Sequence, residues 1–283
     1  MTAPTLPAAE FAYLSELLRR ESSIVLGPDK EYLVQARLLP LARKSGAASV
    51  GDLIASVRQR ADRSTVQAIV DAMTTNETSW FRDNEPYAAL TATVLPQLLA
   101  ARSAQRRLRV WSAACSSGQE TYSLAITLHE FLPAGWTYEI TATDISADMI
   151  ARAEAGRYSQ IEINRGLPAR MLVHYFERAG AQWQVAPLLR RNVHFQRLNL
   201  VAPPSAMAPF DLVFLRNVLI YFDIPTKRTV LRHVGRLMRP DAWLFLGAAE
   251  STIGVDDSFR RVAAGRTFAY QSGRPAGSGQ GKG

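Results

Sequence analysis

Cysteine occurs once in these 283 residues, at Cys115, and histidine only four times. One thiol closes no intrachain disulfide, and no His/Cys cluster has zinc-ligand spacing, so disulfide scaffolds and zinc modules are excluded and no metal is expected. No apolar run approaches the ~18 residues that a membrane span needs. The opening MTAPTLPAAE lacks the basic flank and apolar core of a secretory signal. A cytoplasmic protein without membrane insertion is expected. Lysine is scarce too: 29 of the 33 basic side chains are Arg, against 25 acidic ones, for a net charge of +8. What is present is ordinary for a globular chain, 47% apolar and 20% charged residues, enough for one large domain or two modest ones.

The positive charge is concentrated. Residues 32–63 carry Arg37, Arg43, Lys44, Arg58, Arg60 and Arg63 against Asp52 and Asp62. Residues 157–197 carry Arg157, Arg165, Arg170, Arg178, Arg190, Arg191 and Arg197 against Glu162 and Glu177. Such stretches suit an acidic macromolecular partner, or a solvated arginine-rich surface; charge alone does not choose.

Residues 8–72 show no strand-like alternation and predict four helices, over Ala9–Arg20, Asp29–Lys44, Val50–Gln59 and Ser64–Met73. Ser49 and Ser64 are candidate N-caps, and Gly46 is a candidate helix stop. Beyond residue 105 the pattern changes. Apolar runs LRVWSAA (108–114), YEITATD (138–144), NVHFQRL (192–198), FDLVFLR (210–216) and WLFLGAA (243–249) alternate with helical patterns near 119–132, 146–155 and 225–238. Strands this apolar, alternating with helices, predict a parallel sheet covered on both faces. The stretch 157–197 interrupts the alternation and reads as an insertion in which QWQV and VHF pair antiparallel. Residues 272–283, SGRPAGSGQGKG, read as a disordered tail.

Four segments carry candidate chemistry. RVWSAACSSGQETYSLAITL (109–128) is strand, turn and helix, where open α/β sheets place ligands. Its turn has Gly118 alone among small residues, which fits a nucleoside cofactor better than a pyrophosphate. Glu120 at the helix start suits an amino group. Asp144 ends the next strand, placed either to accept both ribose hydroxyls or to start a helix, a task for which Ser146 is better located. FDLVFLRNVLIYFD (210–223) brings Arg216, Asn217, Tyr221 and Phe222 to a strand end, as cleft residues or as a capped strand with core aromatics. In TTNETSWFRD (74–83) polar Asn76, Thr78 and Arg82 alternate with Trp80 and Phe81, either closing over a cofactor or stapling two domains together.

These motifs, with ATDIS and LFLGAAES, stand in the order and spacing of the CheR-type chemotaxis receptor methyltransferases, which the chain resembles over nearly its whole length. The resemblance implies a Rossmann-like α/β S-adenosylmethionine-dependent methyltransferase sheet. It would carry an N-terminal all-helical domain (1–72) and a catalytic domain (73–271) with a linker (73–90) and a small antiparallel β-subdomain insertion (157–197). It implies S-adenosyl-L-methionine as cofactor and S-adenosyl-L-homocysteine as product. The methyl acceptors would be glutamates on the cytoplasmic domain of methyl-accepting chemoreceptors.

Carried over by motif, Asn76, Thr78 and Arg82 would reach the cofactor from the linker. Glu120 would hold its amino group, Asp144 the ribose, and Asn199 and Leu200 the adenine. Asn217 and Val218 would complete the wall, with Arg82 and Tyr221 beside the transferable methyl. Trp80 stands where the family usually has Phe, and Thr121 where Pro is common. A carboxylate is already nucleophilic at neutral pH, so the lack of a Ser/His/Asp or Cys/His constellation agrees with ester formation. Rivals are a nucleic-acid or small-molecule methyltransferase, and a cofactor-binding regulator without catalysis. No basic–aromatic interleaving or base-flipping motif favours nucleic acid. The turn in YFERAGAQWQV (175–185) is short, and docking without a C-terminal receptor pentapeptide is expected.

Overall fold

The computed structural model describes residues 6–60, 62–203 and 207–272. The chain divides into two compact units, Met1–Thr75 with Tyr221–Asp223, and Asn76–Ile220 with Ile224–Gly283.

The first unit is helical, as the absence of alternation requires: α1 (Ala8–Ser22), α2 (Glu31–Ser45), α3 (Val50–Arg60) and α4 (Arg63–Met73). Each buries one stripe, for example Leu14, Leu17 and Leu18 on α1 and Leu53, Ile54 and Val57 on α3. Gly46 ends α2 at φ 77°, the left-handed conformation that glycine adopts without a steric penalty. Ser49 accepts the Asp52 N–H at 3.1 Å, the expected cap. The α4 cap is not Ser64 but Asp62, whose carboxylate accepts the Ser64 and Thr65 N–H groups. Those bonds favour the charged form and hold Asp62 well below the usual carboxylate range. Arg37 faces inward, donating to the Met73 carbonyl at 2.6 Å and to Thr75 Oγ1 at 2.8 Å.

In the second unit, α5 (Glu85–Ala89), a π-helical turn (Leu90–Val94) and α6 (Leu95–Ala101) precede the sheet. The chain then runs β1 (Arg107–Ala113), α7 (Gln119–Phe131), β2 (Thr137–Asp144) and α8 (Ala147–Ala155). There follow β3 (Arg157–Ser159), α9 (Gln160–Ile163), α10 (Ala169–Tyr175), β4 (Phe176–Ala179), β5 (Gln182–Val185), α11 (Pro187–Arg190) and β6 (Val193–Arg197). The last elements are β7 (Phe210–Leu215), α12 (Ile224–Leu237), β8 (Met238–Leu246), β9 (Phe259–Ala264) and β10 (Thr267–Ser272). The main sheet has the order β6-β2-β1-β7-β8-β10-β9, parallel through β8 and antiparallel beyond it. Strand order reverses at β1, with β2 on one side and β7 on the other, which opens a crevice at their carboxyl ends. All six residues of β7 are buried, the signature of a strand covered on both faces.

The insertion differs from expectation. QWQV is β5, but its antiparallel partners are β4 (FERA) and β3. VHF belongs to β6 and pairs parallel with β2 at the edge of the main sheet, Val193 opposite Ile140. The three-stranded sheet therefore closes by Val185. Ser272, placed in the expected tail, belongs instead to β10; the rest of that expectation, residues 273–283, lies outside the described residues.

Candidate active site

The loop after β1 sets the first wall. Ala114 (φ 59°), Ser116 (φ 49°) and Gly118 (φ 96°) all take left-handed backbone, at every second position. Non-glycine residues hold that conformation only where neighbours impose it. Here the Cys115 N–H bonds the Thr143 carbonyl at 2.9 Å, and the Ser116 N–H bonds Asp144 Oδ2 at 2.8 Å. Ser116 Oγ in turn donates to the Asn76 carbonyl at 3.0 Å. Three separate segments, the linker, the β1 loop and the end of β2, thus meet on one serine.

Asp144 is buried, and its Oδ1 accepts the Ser146 N–H at 2.9 Å. The cap of α8 is Ser146 itself, accepting the Met149 N–H at 3.3 Å. A carboxylate accepts hydrogen bonds at both oxygens and donates none, which is the chemistry that receives a diol.

Glu120 lies in the first turn of α7, the helix that follows the β1 loop. Its Oε1 accepts from Ser112 Oγ at 3.3 Å and its Oε2 from Arg216 Nη1 at 3.0 Å. Arg216 is fully buried and also donates to Asp83 Oδ2 at 2.6 Å and to the Arg82 carbonyl at 3.1 Å. Burial raises the Glu120 pKa above its ordinary value, with Arg216 and more weakly Arg82 opposing the shift. Arg82 itself donates to the Glu77 carbonyl at 3.0 Å, which closes the linker into a loop. Trp80 anchors that loop, packed edge-on against Tyr158 and Phe176, and its carbonyl lies so close to Gly166 that no side chain fits there.

The remaining residues are dispersed. Thr78 and Val218 are half-buried. The Asn199 carboxamide accepts the Val201 N–H at 3.1 Å, and buried Leu200 offers its carbonyl to His233 Nδ1 at 3.2 Å. Asn217 stands at φ 59° with its N–H on Glu250. Tyr221 groups with the helical unit, where its carbonyl accepts the Val25 N–H at 3.2 Å. The site set read from motifs omitted Arg216, Asp83 and Glu250. Arg216 is named from the sequence as a cleft residue or a strand cap, not as a cofactor ligand; Asp83 and Glu250 lie inside TTNETSWFRD and LFLGAAES, where nothing in the residues alone singles them out.

A strand-order reversal, a loop of small residues and a carboxylate at the end of β2 define a nucleoside-binding α/β protein. The particular family follows from comparison. The model for "CheR methyltransferase, SAM binding domain" matches residues 76–268, and that for "CheR methyltransferase, all-alpha domain" matches residues 9–74. Chemotaxis protein methyltransferase 1 of Pseudomonas aeruginosa is 40% identical over 272 residues, 93% of this chain and 98% of its own. The chemotaxis protein methyltransferase of Vibrio parahaemolyticus is 40% identical over 279 residues, covering 96% and 99%. That of Escherichia coli is 33% identical over 259 residues, covering 89% and 87%. The chain belongs to the CheR methyltransferase family, and its fold is an S-adenosylmethionine-dependent methyltransferase sheet with an all-helical N-terminal region.

Proposed function

We propose that the enzyme transfers the methyl group to glutamate side chains on the cytoplasmic helices of chemoreceptors, and that it works in the cytoplasm. The observation that carries this reading is the pairing of a cofactor-type crevice with full-length similarity to chemotaxis methyltransferases. Among the described residues no helix is long and apolar enough to cross a membrane.

The donor set suits S-adenosylmethionine. Asp144 takes the ribose hydroxyls, and the buried Glu120 carboxylate, costly to ionise alone, takes the amino group. Asn199 and Leu200 border the adenine, and Asn217 and Val218 complete the wall. Asn76, Thr78 and Arg82 close over from the linker, with Arg82 and Tyr221 at the reacting end. The cofactor supplies an electrophilic sulfonium methyl; the protein supplies alignment and exclusion of water. A carboxylate acceptor requires no strong base, and no histidine is among the residues assigned to the reacting end. His129 packs on Tyr175, and His233 meets the Leu200 carbonyl.

The test is transfer of tritiated methyl groups to receptor-containing membranes. Base-labile counts in the receptor band are expected from carboxyl methyl esters. Base-stable counts, or none, overturn the reading.

A further inference from the structure

The turn that follows β8 holds a knot to which the cofactor roles above assign nothing. Glu250, half-buried, places Oε2 on two backbone donors, the N–H of Asn217 at 2.7 Å and that of Gly247 at 2.7 Å. Its Oε1 accepts a third, the N–H of Ile220 at 3.3 Å. Its own N–H returns to the Gly247 carbonyl at 2.9 Å. At Gly247 a Cβ would stand 2.7 Å from Glu250 Oε2, 2.8 Å from Asn217 Nδ2 and 2.9 Å from Asn217 N, so the ends of β7 and β8 meet with no space between them.

Two oxygens therefore do separable work. Oε2 holds the N–H of Asn217, which stands in left-handed backbone at φ 59°, and Oε1 holds Ile220, the residue before Tyr221. Only a carboxylate offers two acceptor atoms with no donor, which is what three converging N–H groups require.

We propose that Glu250 is a positioning residue for methyl transfer, one oxygen setting the Asn217–Val218 wall and the other the backbone that delivers Tyr221. The proposal rests on the roles proposed above for Asn217, Val218 and Tyr221. A carboxylate that only capped the turn would affect melting temperature and leave binding and turnover unchanged.

The two oxygens are separated by substitution in the full chain. In Glu250→Gln the amide oxygen can keep Asn217 and Gly247, while the amide N–H2 meets the Ile220 N–H, donor against donor. S-adenosylhomocysteine affinity within threefold of wild type and a kcat lower by about tenfold are expected. Glu250→Ala loses both attachments and is expected to lower affinity and kcat together, each by about tenfold or more. Asp241→Asn is the stability control: it weakens the Arg102 pair (2.5 Å) remote from this turn and should lower the melting temperature with affinity unchanged. Calorimetric titration, receptor-methylation kinetics and thermal melts read all variants. Glu250 variants that behave like Asp241→Asn, altered in melting only, overturn the proposal. Asn217→Ala checks the underlying site. If it leaves affinity unchanged, the wall assignment fails and this proposal with it; if it is damaging while Glu250→Ala is neutral, Glu250 alone is excluded.

Discussion

Arg216 and Glu120 form an ion pair of 3.0 Å in which the guanidinium is fully buried and the carboxylate side chain 13% exposed. The same guanidinium reaches Asp83 at 2.6 Å and the Arg82 carbonyl, so one cation joins the first turn of α7 to the linker that carries Arg82. Its Nε has no partner among the described residues, a polar atom left over beside the crevice.

Removing that cation leaves a buried carboxylate uncompensated. Arg216→Ala is expected to destabilise the fold by about 3–5 kcal/mol, the usual cost of breaking one side of a buried pair. Arg216→Lys, with a point charge instead of a fork, should retain one acceptor and cost less. Urea denaturation measures both. A loss in Arg216→Ala no larger than that of an exposed arginine contradicts the network.

Glu120 makes cofactor binding depend on pH. Burial holds its folded pKa above the ordinary 4.5, so the folded chain binds this proton more tightly than the unfolded chain. Its contribution to stability is therefore present below 4.5 and lost as pH rises toward the folded value. A bound ammonium group reverses the preference and expels the proton. S-adenosylhomocysteine binding should release a proton within that window and tighten as pH rises through it. Calorimetry in two buffers of different ionisation enthalpy detects the release, and Glu120→Gln should abolish it.

Asp144 serves two loops as well as the proposed ribose. Asp144→Ala should weaken S-adenosylhomocysteine binding by about 2–4 kcal/mol, counting two charge-assisted bonds. It should also lower the melting temperature, because the Ser116 and Ser146 N–H groups lose their acceptor. Affinity within threefold of wild type would reduce Asp144 to a loop-ordering residue.

The sheet and the helical N-terminal region were legible because apolar runs and their periodicity are local signals. Apart from the α4 cap, which is Asp62 in place of Ser64, the failures were non-local. Whether VHF pairs with QWQV or with β2 is decided by register across the chain, since Val193 has the same β-forming character in either place. Arg37 looked like surface charge, yet the Met73 carbonyl and Thr75 hydroxyl that engage it lie on a segment far along the chain. The left-handed Ala114 and Ser116 were invisible because only glycine advertises that backbone in a sequence.

That hidden strain is testable. Ala114→Gly should stabilise or leave the fold unchanged, because glycine removes a left-handed penalty of about 1–2 kcal/mol while adding unfolded-state entropy. Ala114→Val should destabilise, since a β-branched side chain fits that backbone poorly. Thermal melts in which Ala114→Val falls while Ala114→Gly rises or holds support the loop geometry; equal losses contradict it.

Receptor docking is proposed to proceed without a peptide tether. The β4–β5 hairpin turns through Gly180 and Ala181 alone, leaving little loop for an added peptide strand. Contact would then fall to exposed cations, but fewer than the sequence count implies. Arg37 is engaged within its own unit, Arg178 stacks on Trp183 at 4.8 Å, Arg190 bonds the Glu154 carbonyl and Arg170 pairs with Glu130. Arg43 and Lys44, exposed at the end of α2, remain the stronger candidates for meeting an acidic helical partner. Contacts of that kind are screened beyond a Debye length of ~8 Å at physiological ionic strength. Receptor methylation should therefore fall with added salt through KM, and an Arg43→Ala, Lys44→Ala double variant should flatten that dependence while S-adenosylhomocysteine affinity is unchanged. Titration with C-terminal receptor pentapeptides should give no heat. Micromolar binding to any of them reverses the conclusion and makes the β-subdomain the anchoring surface.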